Sequence, residues 1–160
     1  MIDALLAALR EQPAYAALTE RDLVPLPATG TAHGHVRLPD GKLARVAYAH
    51  EGDPAAAGRL RTQAVAFRHL APANRTPRLH GVIEPRPGLP GGALIVDHVE
   101  GRAPDLPGEL AALADTLARL HGVPLPEPGS PMQRQKNPFL ETLEVVELAA
   151  TRFLDEAVTD

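Results

Sequence analysis

Apolar positions along the chain change their period several times, and each change marks an element. Leu5, Leu6 and Leu9 recur at helical spacing within residues 2–11, a run halted before Pro13. From residue 22 to 49 the period shortens. Leu23 to Ala28 and His33 to Leu38 predict two short strands, Pro39-Asp40-Gly41 predicts a turn, and Lys42 to Ala49 predicts a third strand. Asp53-Pro54 predicts a helix start, with Asp53 as N-cap, and Leu60, Ala64, Phe67 and Ala71 follow as one apolar stripe. Pro77 to Glu84 and Ala93 to Val99 predict two more strands around a Pro/Gly-rich loop at 85–92. Leu106, Leu110, Leu113, Leu117 and Leu120 form the stripe of another helix, closed by Gly122 and Pro124. After a proline-rich linker, Phe139, Leu143, Val146, Ala150 and Phe153 share the face of a last helix opened by Asn137-Pro138. Strands gathered ahead of helices indicate an α+β fold with an antiparallel meander, not a βαβ parallel sheet.

Composition narrows the classes of function. Hydrophobic residues make up 44% of the 160 and charged residues 22%, which suits a globular core. Net charge is −4, and the only lysines are Lys42 and Lys136, so no basic block exists to grip nucleic acid. Cysteine is absent, which excludes disulfides, thiolate metal sites and cysteine nucleophiles. Residues 1–12 carry Asp3 and Glu11 and do not read as a targeting peptide, and no run approaches the ~20 apolar residues of a bilayer span. The expectation is a cytoplasmic protein with no nucleic-acid or membrane partner.

Several segments, in order, carry a resemblance. Thr29-Gly30-Thr31-Ala32-His33-Gly34 lies between the first two strands, with glycines that let backbone N–H groups approach an anion. By itself it reads more simply as a plain hairpin turn. Leu43-Ala44-Arg45-Val46-Ala47 places a cation in the third strand, and Gln63 lies in the helix that follows. Thr76 to Gly81, then Ala93-Leu94-Ile95-Val96-Asp97-His98-Val99-Glu100-Gly101, then Leu110 to His121 complete the series. Together, across residues 22–122, these resemble the aminoglycoside phosphotransferase and choline kinase superfamily.

That resemblance implies a protein-kinase-like small lobe over residues 1–100: a five-stranded antiparallel sheet with one packed helix. Residues 101–160 would then be the hinge exit and the first helices of a large lobe. It implies ATP or GTP with Mg²⁺ as the ligand of the complete enzyme, and a substrate hydroxyl as acceptor. The residues it points to are Thr29, Gly30, Thr31, Gly34 and Arg45 for phosphates, and Asp97, His98 and Val99 as the hinge whose backbone holds the base. Gln63 stands where the family has a glutamate paired with the strand cation, a neutral substitute for a charged partner.

Catalysis in this fold needs a His-x-Asp-x-x-x-x-Asn loop and a later aspartate for the metal. None of the seven histidines is followed two residues on by Asp, so no catalytic residue and no metal ligand is assigned. A missing large lobe, or a second copy of the chain, is the expected partner for the apolar stripes at 106–121 and 138–157. The rival reading is a non-catalytic kinase-like binding module. His33, His35 and His50 as a metal site is disfavoured for want of a fixed carboxylate. Ser130, the sole serine, has no partner pattern for a nucleophile.

Overall fold

The computed structural model describes residues 1–27 and 30–132. The helix expected at 138–157 lies outside them, as do Ala28 and Thr29. The described elements are helix α1 (Ile2–Arg10), strands β1 (Val24–Pro25), β2 (His33–Arg37) and β3 (Lys42–Ala47), helix α2 (Ala56–Leu70), strands β4 (Leu79–Ile83) and β5 (Ala93–Asp97), and helix α3 (Leu110–His121). The α+β class holds. The five strands form one antiparallel sheet in the order β1-β2-β3-β5-β4.

Residue parity fixes what each face of that sheet carries. The β2–β3 turn at Pro39-Asp40-Gly41 uses left-handed backbone at Asp40 and Gly41, with φ of 63° and 70°. It sets His35 opposite Arg45 and Val36 opposite Ala44. Val36, Ala44, Val46, Ala93 and Ile95 therefore share one face, where they pack in a cluster with Leu5, Leu6 and Leu9 of α1. Leu94 and Val96 point the other way and pack with Leu60 and Ala64 of α2, joined by Leu43, Phe67 and Val82.

Among the described residues two helices thus cover the sheet, not the single one expected. The reason is visible in β5, where Ala93, Leu94, Ile95 and Val96 are all buried, an unbroken apolar run that only a strand covered on both sides carries. Each fully buried Leu or Ile contributes about 1.5–3 kcal/mol.

Two boundaries differ from expectation. Helix α2 starts at Ala56, and Asp53 accepts instead from the Ala55 N–H at 2.9 Å and pairs with Arg59. Asp53 belongs to the turn before the helix, where its carbonyl also accepts from the Ala56 N–H at 3.2 Å. Ala71, expected on the α2 stripe, belongs to a short 3₁₀ turn (Ala71–Ala73) and is exposed. Helix α3 buries none of its residues, leaving Leu110, Leu113 and Leu117 exposed. Its Asp115 pairs with Arg75 at 3.4 Å, and just beyond the helix the Pro124 carbonyl accepts from His69 at 2.7 Å. No helix among the described residues is long and apolar enough to cross a membrane.

Candidate functional site

Arg45 is the cation that the sheet places on the α2 face. Its neighbours follow from the two-residue period of the strands: His35 lies opposite on β2, with His33 two residues away on the same face. Arg45 Nη2 donates to His33 Nδ1 at 3.3 Å, and the guanidinium lies over the Phe67 ring of α2, 5.9 Å from its centroid. On its other side His33 reaches α2, with Nε2 3.2 Å from Gln63 Oε1. The structure therefore brings Arg45 and Gln63 together, through a histidine the sequence reading had set aside. Among the described residues no carboxylate pairs with Arg45.

Burial shapes the charges here. It pushes the Arg45 pKa down, and it lowers His33 and His35 below the ordinary imidazole range. The Arg45 charge adds to the effect on both histidines, while the Gln63 hydrogen bond opposes it at His33. A histidine whose folded pKa is depressed takes up its proton more readily in the unfolded chain. Its stabilising contribution is whole above the unfolded pKa near 6.5 and is lost as pH falls through that value towards the folded one. Asp53 and Asp97, lowered first by the Arg59 and His80 hydrogen bonds respectively, add a second loss only below about pH 4. Thermal melts should therefore fall in two steps on acidification. The upper step, just below pH 6.5, should shrink in a His33→Gln, His35→Gln double variant.

The small-residue loop closes one end of this face. His33 and Gln63 line a cavity of about 160 Å³ with Thr31, Ala32, Tyr48 and Arg59. Tyr48 is tied to the loop by its N–H, which donates to the Ala32 carbonyl at 3.0 Å. Its ring lies against Gly34, where an added Cβ would stand 3.1 Å from the Tyr48 hydroxyl oxygen. At Gly30 an added Cβ would meet nothing within 4 Å, so no crowding requires glycine there. Thr29, the first residue of the expected phosphate loop, lies outside the described residues.

The segment expected to act as a hinge, Asp97 to Val99, is more committed than the sequence suggested. The Asp97 N–H donates to the Arg78 carbonyl at 3.1 Å and the His98 N–H to the Gly41 carbonyl at 2.8 Å. The Asp97 carboxylate accepts from the Arg78 N–H at 2.9 Å and from His80 at 2.5 Å, where a bulge between Leu79 and Gly81 inserts His80 into β4. Val99, 68% exposed, is the one residue of these three whose N–H makes no bond among the described residues.

A larger concavity of about 630 Å³ lies on the other flank of α2, between Arg61, Arg68, Val82 and Glu84. It contains none of the candidate site residues named from the sequence. The Arg45 face is the stronger candidate because its polar groups converge on one another, whereas Arg61 and Arg68 are exposed. No family model matches this chain, nor does any curated protein or solved structure. The site therefore rests on its own geometry. No three potential metal ligands cluster among the described residues, and His50 is drawn instead towards Asp53, 4.0 Å away.

Proposed function

We propose that these residues form the nucleotide-binding part of a small-molecule phosphotransferase, of the kind that moves the γ-phosphoryl of ATP or GTP to a substrate hydroxyl. The observation that carries this reading is Arg45. It is a partly buried guanidinium on the third strand, beside a small-residue loop, with only neutral protein partners among the described residues. Cations taken out of water are normally paired, so a guanidinium left this way favours a ligand that is itself an anion.

The sheet order, and the helix between β3 and β4 that reaches the strand cation, fit the kinase-like small lobe that the sequence resembles. Asp97 pairs with Lys42, three residues from Arg45, so the end of β5 lies about 10 Å from the Arg45 position along β3, with Val99 just beyond it. Of the hinge, the Val99 backbone is the part left to meet a base. Mg²⁺ is expected with the nucleotide, held by groups other than those described.

The test is calorimetry on the 160-residue chain. ADP should bind weakly but measurably, and adenosine more weakly still. Because the sequence holds no His-x-Asp loop, the same protein should show no Mg²⁺-dependent phosphoryl transfer to aminoglycosides. Equal affinity for ADP and adenosine, or turnover that tracks the purified protein, would contradict the proposal.

A second reading, a kinase-like module that binds another protein chain, is favoured by α3, which presents Leu110, Leu113 and Leu117 to solvent. Light scattering separates it: self-association abolished by Leu113→Glu and Leu117→Glu supports it. A monomer at high concentration counts against association through this face.

A further inference from the structure

The contacts around Arg45 have a direction. A guanidinium can only donate, so His33 Nδ1, 3.3 Å from Arg45 Nη2, must accept. The ring proton then sits on Nε2, which donates to Gln63 Oε1 at 3.2 Å. This assignment also orients the Gln63 amide, because an amide NH₂ turned towards Nε2–H would set two donors against each other. One proton per link runs from Arg45 through His33 to Gln63.

We propose that His33, as the neutral Nε2–H tautomer, is a positioning residue that together with Gln63 holds Arg45 through uncharged groups alone, leaving the guanidinium charge whole for a phosphate. The inference rests on the phosphate reading of Arg45 and deepens it. A carboxylate at position 63, the usual kinase arrangement, would suit this site badly. It would draw a second proton onto the imidazole and turn Nδ1 into a donor facing Arg45. His33 and Gln63 therefore act as one unit, with the neutral amide matched to the neutral ring.

The groups that face His33 agree with a neutral ring. His35 lies on its own strand, Arg45 faces it from β3 and Tyr48 from just beyond it, and α2 presents Gln63 and Arg59, the latter paired with Asp53. None of these is a carboxylate free to hold an imidazolium. Burial first, and Arg45 second, disfavour the charged ring.

Nitrogen NMR of the imidazole rings in the ligand-free, isotope-labelled chain tests the proton arrangement without any variant. His33 should be neutral at pH 7, protonated on Nε2, with a titration midpoint below the ordinary 6.5. In Gln63→Glu that midpoint should rise by about one unit or more, as a carboxylate neighbour requires. A His33 that is charged at pH 7, or protonated on Nδ1 alone, overturns the proposal. So does a midpoint unmoved in a folded Gln63→Glu protein.

Pyrophosphate then tests the purpose of the arrangement. His33→Ala, melting as the parent does, should bind pyrophosphate about tenfold more weakly, the loss expected for one hydrogen bond to a charged group. Unchanged affinity would show that His33 does not position Arg45 for phosphate. If the parent chain binds no pyrophosphate while the tautomer is as stated, the phosphate reading falls and the neutral relay stands.

Discussion

Gly91→Ala is expected to destabilise the protein by about 3 kcal/mol or more, the upper end of what overpacking costs. A Cβ at this position would stand 2.0 Å from the Ala47 carbonyl oxygen and 2.6 Å from the carbonyl carbon. Both are backbone atoms at the end of β3, so no flexible side chain can move aside. The segment is also pinned, because the Ala47 N–H donates to the Gly92 carbonyl at 3.1 Å. Gly92 is held as firmly, with φ of +67° and the Ile83 carbonyl oxygen 2.4 Å from an added Cβ. These two glycines are where the loop before β5 crosses the end of β3, beside the cavity that His33 lines. Urea unfolding of Gly91→Ala should show a midpoint far below the parent's, whereas Gly30→Ala, in open space, should barely change it. Equal midpoints for the two variants would mean that the crossing is not tight.

Arg45→Ala is expected to weaken ADP and pyrophosphate binding tenfold or more while leaving adenosine unchanged. A hydrogen bond between charged groups is worth about 1.5–3 kcal/mol, and ~1.4 kcal/mol is tenfold in affinity. Arg45→Lys should fall between the two. It keeps a positive charge but loses the planar fork and the stacking over Phe67. Calorimetry of the three proteins with the three ligands checks both statements. A loss shared equally by adenosine would place Arg45 at the base or in the fold and away from phosphate.

Much of the architecture was legible because it depends on local signals. The turn at Pro39-Asp40-Gly41 and the apolar stripes of α1 and α2 each specify their element without help from distant residues. The cover of both sheet faces was missed, because one packed helix was expected; the unbroken apolar run Ala93 to Val96 was the signal for a second. The start of α2 was missed too, since Asp53 suits a turn and an N-cap equally well and its pairing with Arg59 decides between them.

Arg45 and Gln63 could be named from their places in the series and were expected to meet directly, yet the histidine between them was not foreseen. Their link runs through His33, 30 residues from Gln63 in sequence, and depends on α2 packing over β2 and β3. The signal available was parity: His33 and His35 share a face with Arg45 once the hairpin register is fixed. The hinge illustrates the converse. Sequence placed Asp97, His98 and Val99 at the end of β5, but not that Gly41 and Arg78 already take two of their three N–H groups.

The most direct test of the Arg45 face as a phosphate site is an amide and side-chain NMR titration of the labelled chain with ADP, and separately with adenosine. ADP should shift His33, His35, Arg45 and Gln63, and adenosine should leave those four resonances in place. Shifts confined to the groove of Arg61, Arg68 and Glu84, or no shifts with ADP at millimolar concentration, would contradict the account.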